Sequence, residues 1–138
     1  LIVLSSAAVT WEYMFYELAH ECVHLLNPLF NAELRQVATL EEGVAVLFAE
    51  TMYSRYITPY TSSRPLGSPL NGASEQSRQY AAAFDAASKL SDSHLRSIRT
   101  AFGGFHLTSD TDRLRELSEG KLSDEDVVLL TNWFDYSV

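Results

Sequence analysis

Five consecutive residues, His20-Glu21-Cys22-Val23-His24, carry the densest chemistry in this 138-residue chain. Two histidines four apart on a helix share one face, with Cβ atoms about 5–6 Å apart, so both imidazoles can converge on one tetrahedral ion. Glu21, next to the first histidine, lies a quarter-turn or so round the helix. It can take a proton from a metal-activated water without itself ligating, which makes it the candidate base. Two nitrogens do not complete a zinc site, and a third protein ligand is needed.

The stretch Leu40-Glu41-Glu42-Gly43-Val44-Ala45 offers one, on a second helix expected to run antiparallel beside the first. His-Glu-x-x-His followed by Glu-Gly-x-Ala resembles the gluzincin superfamily of zinc metallopeptidases, and in particular its neutral-aminopeptidase branch. There an Asn-Glu-Gly-x-Ala segment supplies a carboxylate ligand from the next helix. The resemblance implies Zn²⁺ held by His20, His24 and Glu42, since Glu42 directly precedes Gly43 and stands three before Ala45. Glu41 stands where that branch has asparagine and remains the alternative ligand. The two glutamates are about 100° apart on a helix, so both cannot point at one ion. The likeness covers residues from about 13 to 56. The branch's Gly-x-Met-Glu-Asn motif is absent, so exopeptidase specificity is not implied.

Two imidazoles and one carboxylate leave a fourth position open, where water would have its pKa lowered toward about 7. A structural zinc site is more usually closed by four ligands, often sulfur, and the only thiol is Cys22, which its place on an apolar helical stripe assigns to the core. A hydrolase also needs a donor for the developing oxyanion. Tyr53, Tyr56, Tyr60 and His106 are candidates, with Tyr56 chosen as the catalytic one. Glu17 and Glu50 are candidate partners for the histidines. His94 and His106 otherwise read as surface or cap residues, and the acidic clusters Asp110/Asp112 and Asp124/Glu125/Asp126 as helix N-termini, since they lack the spacing of a calcium loop.

The elements that must position these groups are mostly helical. Leu1-Ile2-Val3-Leu4 reads as a small β element at the start, and the opening on Leu1 rather than methionine leaves room for native sequence upstream. From about Val9 to Leu26, the residues Trp11, Met14, Phe15, Leu18, Cys22, Leu25 and Leu26 form one apolar stripe, expected to face the core. Asn27-Pro28 ends that helix. A second is expected from Ala32 to Tyr56, through Leu34, Val37, Leu40, Val44, Leu47, Phe48 and Met52. Pro, Gly, Ser and Thr crowd the following stretch, which reads as a surface loop. Four shorter helices are expected after it, with Ser91 or Asp92, Ser109 and Ser123 as starting signals and Gly103-Gly104 and Gly120 as breaks. The result is one mainly α domain over 1–138 with a zincin-like helical core: a metal-binding helical pair at 1–56, a Pro/Ser-rich loop at 57–72 and a helical part at 73–138.

Composition sets the outer bounds. With 46% hydrophobic and 20% charged residues the chain fits a compact globular domain, not a disordered tail. Eighteen acidic against ten basic residues, net −8, is the wrong sign for nucleic acid and mildly favours basic peptides by steering. No apolar run approaches the roughly 20 residues needed to span a bilayer. The lone Cys22 cannot form an internal disulfide, and a soluble protein in the reducing cytoplasm is favoured. The expected function is hydrolysis of a peptide or protein substrate by a metal-activated water. The alternative is a non-catalytic metal- or peptide-binding module on a degenerate peptidase fold.

Overall fold

The computed structural model describes residues 10–26, 36–61 and 65–137, and the protein is mainly α-helical over them. The expected β element at residues 1–4 and the expected helix start at 32–35 lie outside the described residues.

Thr10 opens the first helix, α1 (Trp11–Leu25), by accepting from the Tyr13 amide. The second helix, α2 (Thr39–Tyr56), begins later than the periodicity predicts. Residues 36–38 are not helical, because their backbone groups are used elsewhere. Ala38 N donates to His106 O, Phe134 N donates to Val37 O, and Ala38 pairs with Trp133 in an isolated antiparallel bridge. The 57–72 stretch is less irregular than its composition predicts, holding a one-turn helix α3 (Thr58–Thr61) and a 3₁₀ turn at Pro69–Asn71. Pro59 fits α3 because a first-turn proline forfeits no intrahelical bond.

Capping chemistry sets the remaining boundaries. Ser74 caps α4 (Glu75–Ala87), and Ser91 with His94 forms a capping box on α5 (Asp92–Phe102), which Gly103 ends at φ 77°. Asp110, rather than Ser109, caps α6 (Thr111–Leu117), and Ser123 with Asp126 caps α7 (Asp124–Thr131). The acidic clusters are therefore helix starts.

Helix α2 is the centre of the fold, packed against α1, α4, α7 and the 3₁₀ turn at Phe105–Leu107. Every residue from Thr39 to Val46 is buried. Its crossing with α4 is so close that a Cβ on Gly43 would sit 2.4 Å from Ala83 O. Leu40, Val44 and Ala45 join Ile98, Leu114 and Leu130 in one core cluster, and Tyr16, Ala19, Ala49, Tyr53 and Ile57 form a second between α1 and α2.

The orientation of α1 corrects the sequence expectation. Its buried residues are Tyr16, Ala19 and Val23, whereas Trp11 (55%), Met14, Leu18, Leu25 and Leu26 (54%) are exposed. Cys22 is exposed too, and is not a core residue. Phe15 alone of the expected stripe is partly buried against the second cluster. Residues 16, 19, 20 and 23 share one face at helical spacing, so turning the imidazoles inward toward α2 turns the apolar stripe outward.

Candidate metal centre

Two adjacent glutamates at the start of α2 are nearly inaccessible, Glu41 at 3% and Glu42 at 2% exposure. A buried carboxylate is costly unless charged or hydrogen-bonding partners meet it, and both have such partners on α1. They divide as their 100° separation on the helix requires. Glu42 points at the imidazole tips, with its Oε2 3.3 Å from His20 Nε2 and its Oε1 3.5 Å from His24 Nε2. Glu41 points at the back of one ring, its Oε1 2.8 Å from His24 Nδ1. The two Nε2 atoms are 3.2 Å apart.

A tautomer follows. Nδ1–H of His24 donates to Glu41, which leaves the Nε2 lone pair facing His20 and Glu42. Burial alone would lower the His24 pKa, but the Glu41 hydrogen bond and the charges of Glu42, Glu41 and Glu21 outweigh it and raise it. For Glu42 burial pushes upward, and the His20 and His24 rings with the Tyr136 hydroxyl overcome this to hold it below the usual carboxylate range. Negative charge at Glu42 is thus favoured by what surrounds it.

The donor set fits a zinc ion on two observations. Ligand atoms bound tetrahedrally at 2.0–2.2 Å lie about 3.3–3.6 Å from one another, and here the two Nε2 atoms are 3.2 Å apart and Glu42 Oε2 is 3.3 Å from His20 Nε2, while the other oxygen of the same carboxylate, Oε1, is 3.5 Å from His24 Nε2. Moreover, Glu42 Oε2 is fully buried without an aligned hydrogen-bond donor, an arrangement that a cation at the imidazole tips would satisfy. Two imidazole nitrogens and one carboxylate oxygen are also the ligand types of catalytic zinc sites.

Glu21 lines the same cavity, an open cleft of about 340 Å³, and its carboxylate lies within 4.8 Å of the histidine ligand atoms. That spacing alone would also admit Glu21 as a ligand. Glu42 meets the two imidazoles at 3.3 and 3.5 Å and is buried, whereas Glu21 stands at the cavity wall.

Tyr56, the expected catalytic tyrosine, is not at this site. It is exposed at the far end of α2, about 21 Å along the helix from Glu42. Tyr60 is 85% exposed, and Tyr53 is buried in the second core cluster. The tyrosines that line the cavity are Tyr80 on α4 and Tyr136 beyond α7. Removal from water, followed by the charge of Glu42, raises the pKa of both, so each hydroxyl remains a protonated donor. Glu50 does not meet the histidines; it accepts from Tyr16 and Ser68. The partner that orients His24 is Glu41, and His106 lies beyond it, Nδ1 to Oε2 3.5 Å. His94 is occupied by its capping box.

Only Glu41 among these unforeseen roles had a local signal. Two adjacent helical carboxylates of which one ligates leave the other aimed about 100° away, toward the flank of the same imidazole pair. Tyr80 and Tyr136 had none.

Among the described residues no helix is long and apolar enough to cross a membrane. No family model, no curated protein and no solved structure matches this chain.

Proposed function

We propose that this chain is a small zinc-dependent metallopeptidase resembling the gluzincins, with His20, His24 and Glu42 as ligands and Glu21 as the general base. The observation that carries the proposal is the meeting of two Nε2 atoms and one buried carboxylate at 3.2–3.5 Å from one another, beside an open cleft. A zinc ion held there would supply a Lewis acid that acidifies water and polarises a peptide carbonyl. Glu21 accepts the proton of the attacking water and returns it to the leaving amine. Glu41 keeps His24 in the tautomer that offers Nε2. Tyr80, a protonated phenol on the cavity wall, is the proposed donor to a developing oxyanion.

The test is elemental analysis of the purified protein together with hydrolysis of casein or a peptide library, for the wild type and Glu21→Gln. One zinc per chain in both, with turnover reduced at least 100-fold in the variant, is expected. A variant with full activity removes Glu21 from the mechanism. Stoichiometric zinc with no hydrolysis by the wild type assigns the chain to the non-catalytic metal-binding class.

A further inference from the structure

The segment after α7 returns to the metal centre. Phe134 N donates to Val37 O at 2.9 Å, and Trp133 pairs with Ala38, so residues 133 and 134 run antiparallel to those that lead into α2. Phe134 is buried, and its ring lies between those of Tyr80 and Tyr136, with centroids 4.6 and 5.0 Å away. Those two anchors, one of backbone and one of aromatic packing, fix where the side chain two residues on, that of Tyr136, falls. The Tyr136 hydroxyl donates to Glu42 Oε1, whereas Glu42 Oε2 is buried and has no aligned donor.

That division has a chemical sense. A glutamate side chain has three rotatable torsions and two equivalent oxygens, and an unrestrained carboxylate samples several orientations at a metal. A neutral hydroxyl on one oxygen selects the rotamer without competing for the other. It does so from outside the helical pair that carries the three candidate ligands.

We infer that Tyr136 is a positioning residue of the metal centre: by holding Oε1 of Glu42 it presents Oε2 to a cation between His20 and His24, which makes the segment after α7 part of the site. The inference rests on the zinc site proposed above and adds a residue that the His-Glu-x-x-His and Glu-Gly-x-Ala patterns do not contain.

The test measures zinc affinity of the full chain by competition with a chromogenic chelator, for the wild type, Tyr136→Phe and Tyr60→Phe, with thermal midpoints recorded in excess chelator. Phenylalanine keeps the ring packed on Phe134 and removes only the hydroxyl. Tyr136→Phe is expected to bind zinc 10- to 100-fold more weakly, with Tyr60→Phe unchanged and the metal-free midpoints alike. Repeating the substitution in Glu42→Ala separates positioning from general structural damage, because a residue acting through Glu42 has no effect once that carboxylate is gone. Equal losses in both backgrounds overturn the inference. So does unchanged affinity in Tyr136→Phe, and so does tighter binding, which would make Tyr136 an obstruction. A wild type with no zinc affinity overturns the metal site itself, a result distinct from any of these.

Discussion

His24 Nδ1 and Glu41 Oε1 lie 2.8 Å apart, and the glutamate next in sequence, Glu42, approaches the opposite nitrogen of the same ring. One turn of α2 thereby orients an imidazole through one ring nitrogen and brings a carboxylate to the other.

Replacing Glu41 tests the orienting half of this relationship. Glu41→Gln keeps the shape and an acceptor oxygen but removes the charge that supports His24 as a proposed ligand. Zinc affinity is expected to fall 10- to 100-fold, measured by chelator competition. Glu42→Gln is expected to lose more, since it alters the proposed ligand. An equal or smaller loss in Glu42→Gln than in Glu41→Gln would exchange their roles.

Gly43 tests the link between the site and the scaffold. A methyl group there meets Ala83 O at 2.4 Å, backbone that cannot step aside without moving α4 and, one turn earlier, Tyr80. Gly43→Ala is expected to destabilise the protein by about 1–3 kcal/mol in urea unfolding, through overpacking. It should also weaken zinc binding, whereas an overpacking substitution in the second core cluster should cost stability alone.

Removing metal tests whether the buried carboxylates depend on it. Zinc at 100 times its dissociation constant adds about 2.7 kcal/mol to folding. Thermal midpoints with and without excess chelator should therefore differ by several degrees in the wild type. In His20→Ala the difference should be much smaller.

Asp126 gives a pH dependence away from the metal. Burial would raise its pKa, but Lys89 Nζ at 2.7 and 2.8 Å and the Ser123 amide and hydroxyl at 2.8 Å together hold it below the usual carboxylate range. A depressed folded pKa contributes stability that is present above the unfolded value, about 4, and is lost as pH falls through the folded one. The stability gap between the wild type and Asp126→Asn is expected to be roughly 1 kcal/mol at pH 6 and to shrink as pH falls below the unfolded value. Urea midpoints across that range measure it; a gap independent of pH would place the effect in shape, not charge.

Much of the local organisation was legible in the residues. Ser91 and Ser123 start helices and Gly103 stops one, because capping is settled within a single turn of chain, and α6 starts one residue later than expected, at Asp110. The four-residue spacing of His20 and His24 likewise places both imidazoles on one face of any helix that contains them. The start of α2 was not legible, since Val37 and Ala38 use backbone groups on His106, Trp133 and Phe134, far along the chain. Periodicity contains no record of such partners.

What the amino-acid sequence by itself determined is the helical grammar and the inventory at the site: two histidines one turn apart, two adjacent carboxylates and the glycine that follows them. Which face of α1 turns inward was decided only by tertiary structure. There the more apolar stripe, Trp11 to Leu26, is exposed, and the imidazole face meets Glu41 and Glu42. Spacing reports that a helix has two faces, but the choice between them depends on what a neighbouring helix presents. For Tyr80 and Tyr136, 38 and 94 residues away from Glu42 in sequence, only three-dimensional packing could bring their hydroxyls to the same carboxylate.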